Sequence, residues 1–156
     1  MNEAPTRARR EGPRCAFCEI VAGRAPASTI GRWDGFMAFV PKRPATAGHT
    51  LLIPLEHVST VWDLSAPIAS GLAVRVLEIA HAMRSALELD GLNVIQSNGR
   101  AATQTVDHLH VHLVPRYDQD AMGSIWPDNA PVDALSAKGA SSRIRAKLDS
   151  AVRVEE

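Results

Sequence analysis

The sequence predicts an α+β fold, an antiparallel sheet of about five strands with one long helix packed on it, from three observations. Two apolar runs near the start are separated only by turn-forming residues. One long stretch then repeats apolar residues at helical spacing. Two more strand-like segments follow it.

Taken in order, "CAFCEIVAG" from Cys15 can form one or two helical turns, closed by Gly23 and interrupted by Pro26. "RWDGFMAFVP" supplies an apolar run after a turn at Asp34-Gly35, and "HTLLIP" supplies a second. The intervening "KRPATAG" is turn chemistry throughout, so the two runs read as an antiparallel pair. From Ser65 to Leu89 the residues Ile68, Leu72, Val76, Ile79, Met83 and Leu87 mark one helix face, with Ser65 as N-cap and Gly91 as the stop. "GLNVIQSNG" reads as a strand ending at Asn98-Gly99, and the segment "DHLHVHLVPR", Asp107 to Arg116, reads as the next strand. A turn-rich loop, "RYDQDAMGSIWPDNAP", leads to a weak helix from about Val132 to Val152. The organisation is a disordered basic tail over 1–14, one domain over 15–126, and a loop and helix over 127–156 that extend it.

Bulk properties narrow the function without naming it. A chain of 156 residues supports one domain with a substantial core, and 46% hydrophobic with 22% charged residues is a soluble globular composition. Lys+Arg and Asp+Glu both total 17, so no net field draws the chain to nucleic acid or anionic lipid, and neither partner is expected. The opening "MNEAPTRARREGPR" has no apolar stretch after it and no run reads as membrane-spanning, which leads to an expected cytoplasmic location. The two cysteines, Cys15 and Cys18, are too few for a disulfide framework; their spacing suits half a metal site or a redox pair.

The histidine segment carries the most information. On a strand, His108, His110 and His112 share one face, while Leu109, Val111 and Leu113 share the other and belong to a core. Three explanations compete. The row can be the outer face of a half-buried strand, a three-histidine catalytic metal site, or a nucleophilic imidazole whose neighbours hold a charged group. At ~3.3 Å rise per residue the outer two α-carbons lie about 13 Å apart, a poor fit to three bonds near 2 Å to one ion.

The run "HLHVHLVP" resembles the alternating signature of the histidine triad (HIT) superfamily of nucleotide hydrolases and transferases, and the likeness extends further. "CAFCEIVAGRAPAS", "AFVPKRPATAGHTLLIPLEHV" and "NGRAATQTVDHLHVHLVPRY" look like their counterparts in bacterial HIT proteins, in the same order, from about Cys15 to Trp126. The resemblance implies the HIT-like version of the α+β fold and a homodimer. It implies hydrolysis or transfer at the α-phosphate of AMP-bearing compounds, such as dinucleoside polyphosphates and nucleoside phosphoramidates, through a nucleotidyl-histidine.

Residue by residue, the resemblance makes His110 the nucleophile, His108 the source of the carbonyl that holds its other ring proton, and His112 the contact to phosphate or leaving group. Asn98, Gln104 and Thr105 match phosphate-contacting positions, and His49 a further active-site histidine. Phe17, Ile20 and Phe39 match residues that pack the base. It also resolves the Cys-x-x-Cys: zinc-containing relatives join two such cysteines to histidines matching His57 and His108, a closed set implying structural Zn2+ and no organic cofactor. A redox role would need a strand where the charged tail precedes Cys15. Two departures bear on the nucleoside. Pro41 stands where many relatives carry Asp or Asn toward the ribose, and Thr103 where a glycine is usual. Pro41 encourages a different reading, a nucleotide-binding regulatory module with little turnover, and a zinc-dependent hydrolase with the triad as ligands is a third. His81 lies inside the long helix, near no motif, and reads as a partly exposed helix residue.

Overall fold

The computed structural model describes residues 15–126 and 133–152; the tail expected over 1–14, most of the loop after Trp126, Val132 and the last four residues lie outside the described residues. The elements are α1 (Ala16–Val21), β1 (Ser28–Trp33), β2 (Phe36–Val40), β3 (Thr50–Pro54), α2 (Ala66–Ala86), β4 (Gly91–Gln96), β5 (Val111–Arg116) and α3 (Ala134–Val152). Five strands form one sheet in the order β1-β2-β3-β5-β4, every neighbouring pair antiparallel. The α+β class and the strand number are as the sequence predicts.

Topology decides where the histidines go. β3 and β4 are joined through α2, and β5 inserts between them, so the histidine strand has a hydrogen-bonded neighbour on both sides. Alternation along the strands divides the apolar residues between two faces. Phe36, Ala38, Leu52, Leu109, Val111 and Leu113 pack with Leu72, Ile79 and Met83 of α2. Met37, Phe39, Leu51 and Ile53 pack on the opposite face with Phe17, Ile20 and Val21 of α1.

Three expectations need correction. The row of histidines is not wholly in a strand: β5 begins at Val111, because the Leu109 amide donates to Val58 O (2.6 Å) and the His108 amide to Val106 O (2.8 Å) instead of entering the ladder. The alternation nevertheless holds, since Leu109, Val111 and Leu113 share the α2-side core. The long helix stops at Ala86 rather than Leu89. Leu87 already has extended backbone (φ −125°, ψ 139°), and Gly91 opens β4 opposite Arg116. Ser65 occupies the N-cap position, but its hydroxyl makes no capping bond. Finally, α2 is long and apolar enough to cross a membrane by length and composition, contrary to the reading that no run is. Its Leu72, Ile79 and Met83 belong to the sheet core, and Arg75 pairs with Glu78, so its apolarity has an internal use.

β1 is not anticipated by the sequence. "STIGRW" has mixed polarity and a break in register between Thr29 and Gly31, and as an edge strand it relies on backbone pairing to β2 through the Asp34-Gly35 turn. The described residues from Gly123 onward belong to a separate compact unit. Its helix α3 is started by Asp133, whose carboxylate accepts the Leu135 and Ser136 amides (both 3.0 Å) and the Ser136 hydroxyl (2.6 Å).

Gly71 sets the approach of α2 to the sheet, because a Cβ there would clash with the Phe36 ring. Alanine would favour the helix by about 1 kcal/mol, yet overpacking a core costs roughly 1–3 kcal/mol. Gly71→Ala is therefore expected to lower unfolding stability by about 1 kcal/mol in urea titration. Unchanged or increased stability would show that the Phe36 ring yields freely.

Candidate active site and metal centre

The α1 face of the sheet carries the expected site. His108 is fully buried and His110 is 6% exposed, with the Phe17 ring packed edge-on against both at 5.8 and 5.3 Å between centroids. Phe17 and Phe39 form an edge-to-face pair at 5.4 Å, and Ile20 packs on the same cluster. The three apolar residues expected near a base thus share one surface with the histidines. An exposed outer face does not describe this row, since His108 and His110 are buried.

Backbone groups set each ring's proton position. His110 Nδ1 lies 2.7 Å from His108 O. A carbonyl offers no hydrogen, so Nδ1 is the protonated nitrogen and Nε2 keeps the lone pair. At His49 the direction reverses: the Ala45 amide donates to Nδ1 at 2.9 Å, which leaves the hydrogen on Nε2. That Nε2–H meets His112 Nδ1 at 2.9 Å, so neutral His112 carries its own hydrogen on Nε2. The His110 and His112 rings are 4.9 Å apart. One face therefore presents a lone pair on His110 beside a donor on His112.

This arrangement requires neutral rings, and the surroundings favour them. Burial, followed by the neighbouring His110 and His49, lowers the His112 pKa to about 4. Burial likewise lowers His49, and lowers His108 against the opposing effect of its bond to Pro54.

His108 points its ring away from the row. Nε2 donates to Pro54 O at 2.9 Å, so Nδ1 bears the lone pair, and it faces Cys15 Sγ at 3.5 Å and Cys18 Sγ at 3.6 Å. His57 Nδ1 lies 3.3 Å from Cys18 Sγ. All four ligand atoms fall within 4.8 Å of one another. Tetrahedral zinc with Zn–S near 2.3 Å and Zn–N near 2.0–2.1 Å would set each sulfur–nitrogen edge at about 3.6 Å, so the observed separations fit that ion closely. Two thiolates and two imidazoles would neutralise it and leave no open position, which suits a structural ion. Without an ion, burial and then the adjacent Cys15 raise the Cys18 thiol pKa, an effect a divalent cation reverses.

The loop between β4 and the histidine row holds the other candidates. Asn98 Oδ1 accepts the Val61 amide at 2.7 Å, and its Nδ2 donates to Gln96 Oε1 at 2.6 Å. Gln104 is 6% exposed, and its amide is wholly engaged by the protein, which leaves no donor for the expected phosphate contact in this arrangement. Thr105 is exposed, and neither its hydroxyl nor its amide has an intramolecular partner among the described residues. Thr103 adopts left-handed backbone (φ 66°, ψ 18°), which costs a β-branched residue roughly 1–2 kcal/mol and explains why glycine would suit this corner. Pro41 directly follows β2 and brings no side-chain acceptor. His49, which the resemblance gives as a further active-site histidine, is the direct partner of His112. Ala45 belongs to the site only through its amide, for which no side-chain signal exists.

Comparison with known proteins supports the same reading. The sequence profile described as "HIT domain" matches residues 22–119, more than half of the chain. Protein hit of Bacillus subtilis is 37% identical over 117 residues, covering 74% of this chain and 81% of that protein. Adenosine 5'-monophosphoramidase hnt1 of Schizosaccharomyces pombe is 31% identical over 135 residues, covering 86% and 98%. Among solved structures, a zinc-bound histidine triad family protein from Mycobacterium smegmatis superposes with a TM-score of 0.66 at 39% identity, covering 88% of this chain and 96% of that one.

The depressed His112 pKa has a consequence for stability. Unfolded histidine titrates near 6.5, so between that value and about 4 the unfolded chain binds more protons than the folded one. The contribution of neutral His112 is complete above pH 6.5 and is lost as pH falls toward 4. Thermal unfolding should show Tm dropping across this window, with a shallower drop for His112→Asn. Equal slopes for the two proteins would mean that His112 is not held neutral by the fold.

Proposed function

Because the chain belongs to the histidine triad (HIT) family, we propose that it is a nucleotide hydrolase or transferase that attacks the α-phosphate of AMP-bearing compounds through a nucleotidyl-histidine on His110. The observation that carries this reading is the bond from His110 Nδ1–H to His108 O, which leaves Nε2 as an unprotonated nucleophile. In the first half-reaction Nε2 attacks the α-phosphorus, a P–N bond forms, and the bond to the leaving nitrogen or oxygen breaks with its electron pair. His112, with hydrogen on Nε2, donates to the phosphate or to the departing group as charge builds there. Water then attacks the phosphorus and gives a proton to His112, restoring the hydrogen passed to the departing group, while the P–N bond breaks and His110 Nε2 recovers its lone pair.

Support for the surrounding roles comes from position and chemistry. Thr105 offers an unpartnered hydroxyl and amide to phosphate oxygens, while Asn98 borders the same loop. Phe17, Ile20 and Phe39 provide an apolar wall suited to a base. His49 orients His112, and Pro41 leaves the ribose hydroxyls without a side-chain acceptor on that side. The name of the fission yeast relative, an adenosine 5'-monophosphoramidase, favours phosphoramidates among the substrates.

Cys15, Cys18, His57 and His108 would hold zinc, which when bound supplies a structural cross-link between α1, the segment after β3 and the row. The apolar Val74 and Leu77 on the outer side of α2 and the open edge of β4 suit pairing with a second copy, the homodimer of this reading, for which a cytoplasmic location is also inferred.

Protein purified without added metal is expected to contain one zinc per chain by elemental analysis, and Cys18→Ser much less. Its absence, or a Cys15–Cys18 disulfide in reduced preparations, would remove the structural-ion assignment.

The nucleophile is tested by rapid quenching at neutral or alkaline pH during turnover of adenosine 5'-monophosphoramidate. Mass spectrometry should find an acid-labile adduct on His110, and none in His110→Asn, which should fold normally and lose turnover by more than about a hundredfold. Near-normal turnover by that variant, or an adduct on His112, would overturn the mechanism.

A further inference from the structure

Gln104 is buried, and every hydrogen of its side chain is in use. Its Oε1 accepts the Gly99 amide at 2.7 Å, while Nε2 donates to Ser59 O at 2.8 Å and Val106 O at 3.1 Å. An amide nitrogen has two hydrogens and both are committed, so nothing remains to donate to an anion. The backbone adds a reciprocal bond, from Gln104 N to Gly99 O at 3.2 Å, which closes the loop from Gly99 to Gln104 on itself. Thr105, with its unpartnered donors, follows directly.

The two carbonyls on which Nε2 rests are significant for where they lie. Ser59 is two residues beyond His57, and its hydroxyl lies 3.4 Å from His57 Nε2. Val106 O also accepts the His108 amide at 2.8 Å. Both anchors of Gln104 therefore belong to segments that carry a ligand of the metal centre, and the third bond holds the start of the phosphate-side loop.

We propose that Gln104 is a positioning residue that ties this loop to the metal-bearing segments, so that metal occupancy and phosphate binding are linked through its amide; this rests on the function proposed above. Metal bound at His57 and His108 fixes Ser59 O and Val106 O. Gln104 passes that order to Gly99 and hence to the donors of Thr105. Neither end needs Gln104 to touch substrate or metal.

Two variants separate this from simple packing. Gln104→Met has similar volume and no hydrogen bonds; Gln104→Glu can still accept the Gly99 amide but has no hydrogen for the two carbonyls at neutral pH. With zinc-loaded full-length protein, AMP affinity is measured by calorimetry, and zinc transfer to a chromogenic chelator is timed with and without AMP. Wild type should bind AMP and release zinc several-fold more slowly when AMP is present. Either variant that retains wild-type circular dichroism and zinc content should bind AMP about tenfold more weakly, with zinc release no longer responsive to AMP. A packing role alone would lower thermal stability and leave the response intact. The proposal is overturned if a folded variant keeps AMP affinity within about twofold, if AMP still retards its zinc release as in wild type, or if AMP has no effect on zinc release from wild type itself. Failure of wild type to bind AMP would overturn the functional reading together with this link, whereas normal wild-type binding with unaltered variants overturns the link alone.

Discussion

The site depends on one residue whose every polar group is committed. His108 gives its Nε2 hydrogen to Pro54, turns Nδ1 toward the two cysteines, and offers its carbonyl to the His110 ring. A buried imidazole with an unpartnered nitrogen would be costly, so these bonds stand or fall together. The carbonyl orients the candidate nucleophile only while the His108 backbone is held, and the ring holds that backbone from below. The candidate metal ligands and the candidate nucleophile are thus joined by a single peptide unit and one side chain.

The histidines illustrate how backbone geometry can assign chemistry to identical side chains. A carbonyl acceptor makes His110 a lone-pair donor to an electrophile, whereas an amide donor at Ala45, acting through His49, makes His112 a hydrogen-bond donor. Burial keeps His112 neutral, because a second ring hydrogen would point at the Nε2–H of His49. The same low-dielectric setting that strengthens these bonds makes their loss expensive.

Sheet order makes this possible. Inserting β5 between β3 and β4 covers the row laterally, α2 covers the apolar face, and Phe17 of α1 covers the histidine face. Gly71 allows α2 to lie close on the Phe36 ring. The loop from Asn98 to Thr105 then spans from β4 to the row, turning at the strained Thr103 and stapled by Gln104. Strain retained at such a corner is consistent with a loop over-determined by its hydrogen bonds.

Local pattern was enough for much of this protein. Periodicity marked α2, turn chemistry marked the β2–β3 pair, and the strict alternation from His108 to Leu113 separated a core face from a polar one before any contact was known. Spacing marked only Cys15 and Cys18; the resemblance to histidine triad proteins added His57 and His108, and the fold brings all four within ligand distance. β1 has no local signal because an irregular edge strand takes its structure from its neighbour's backbone, and α2 ends before its apolar periodicity does because the demand to begin β4 at Gly91 is tertiary. Which ring nitrogen carries hydrogen, that Gln104 faces carbonyls, and that His49 meets His112 across 63 residues were decided only by the folded chain. Sequence encodes periodicity and residue type, both local; the identity of a hydrogen-bond partner depends on which distant backbone groups the sheet order brings alongside.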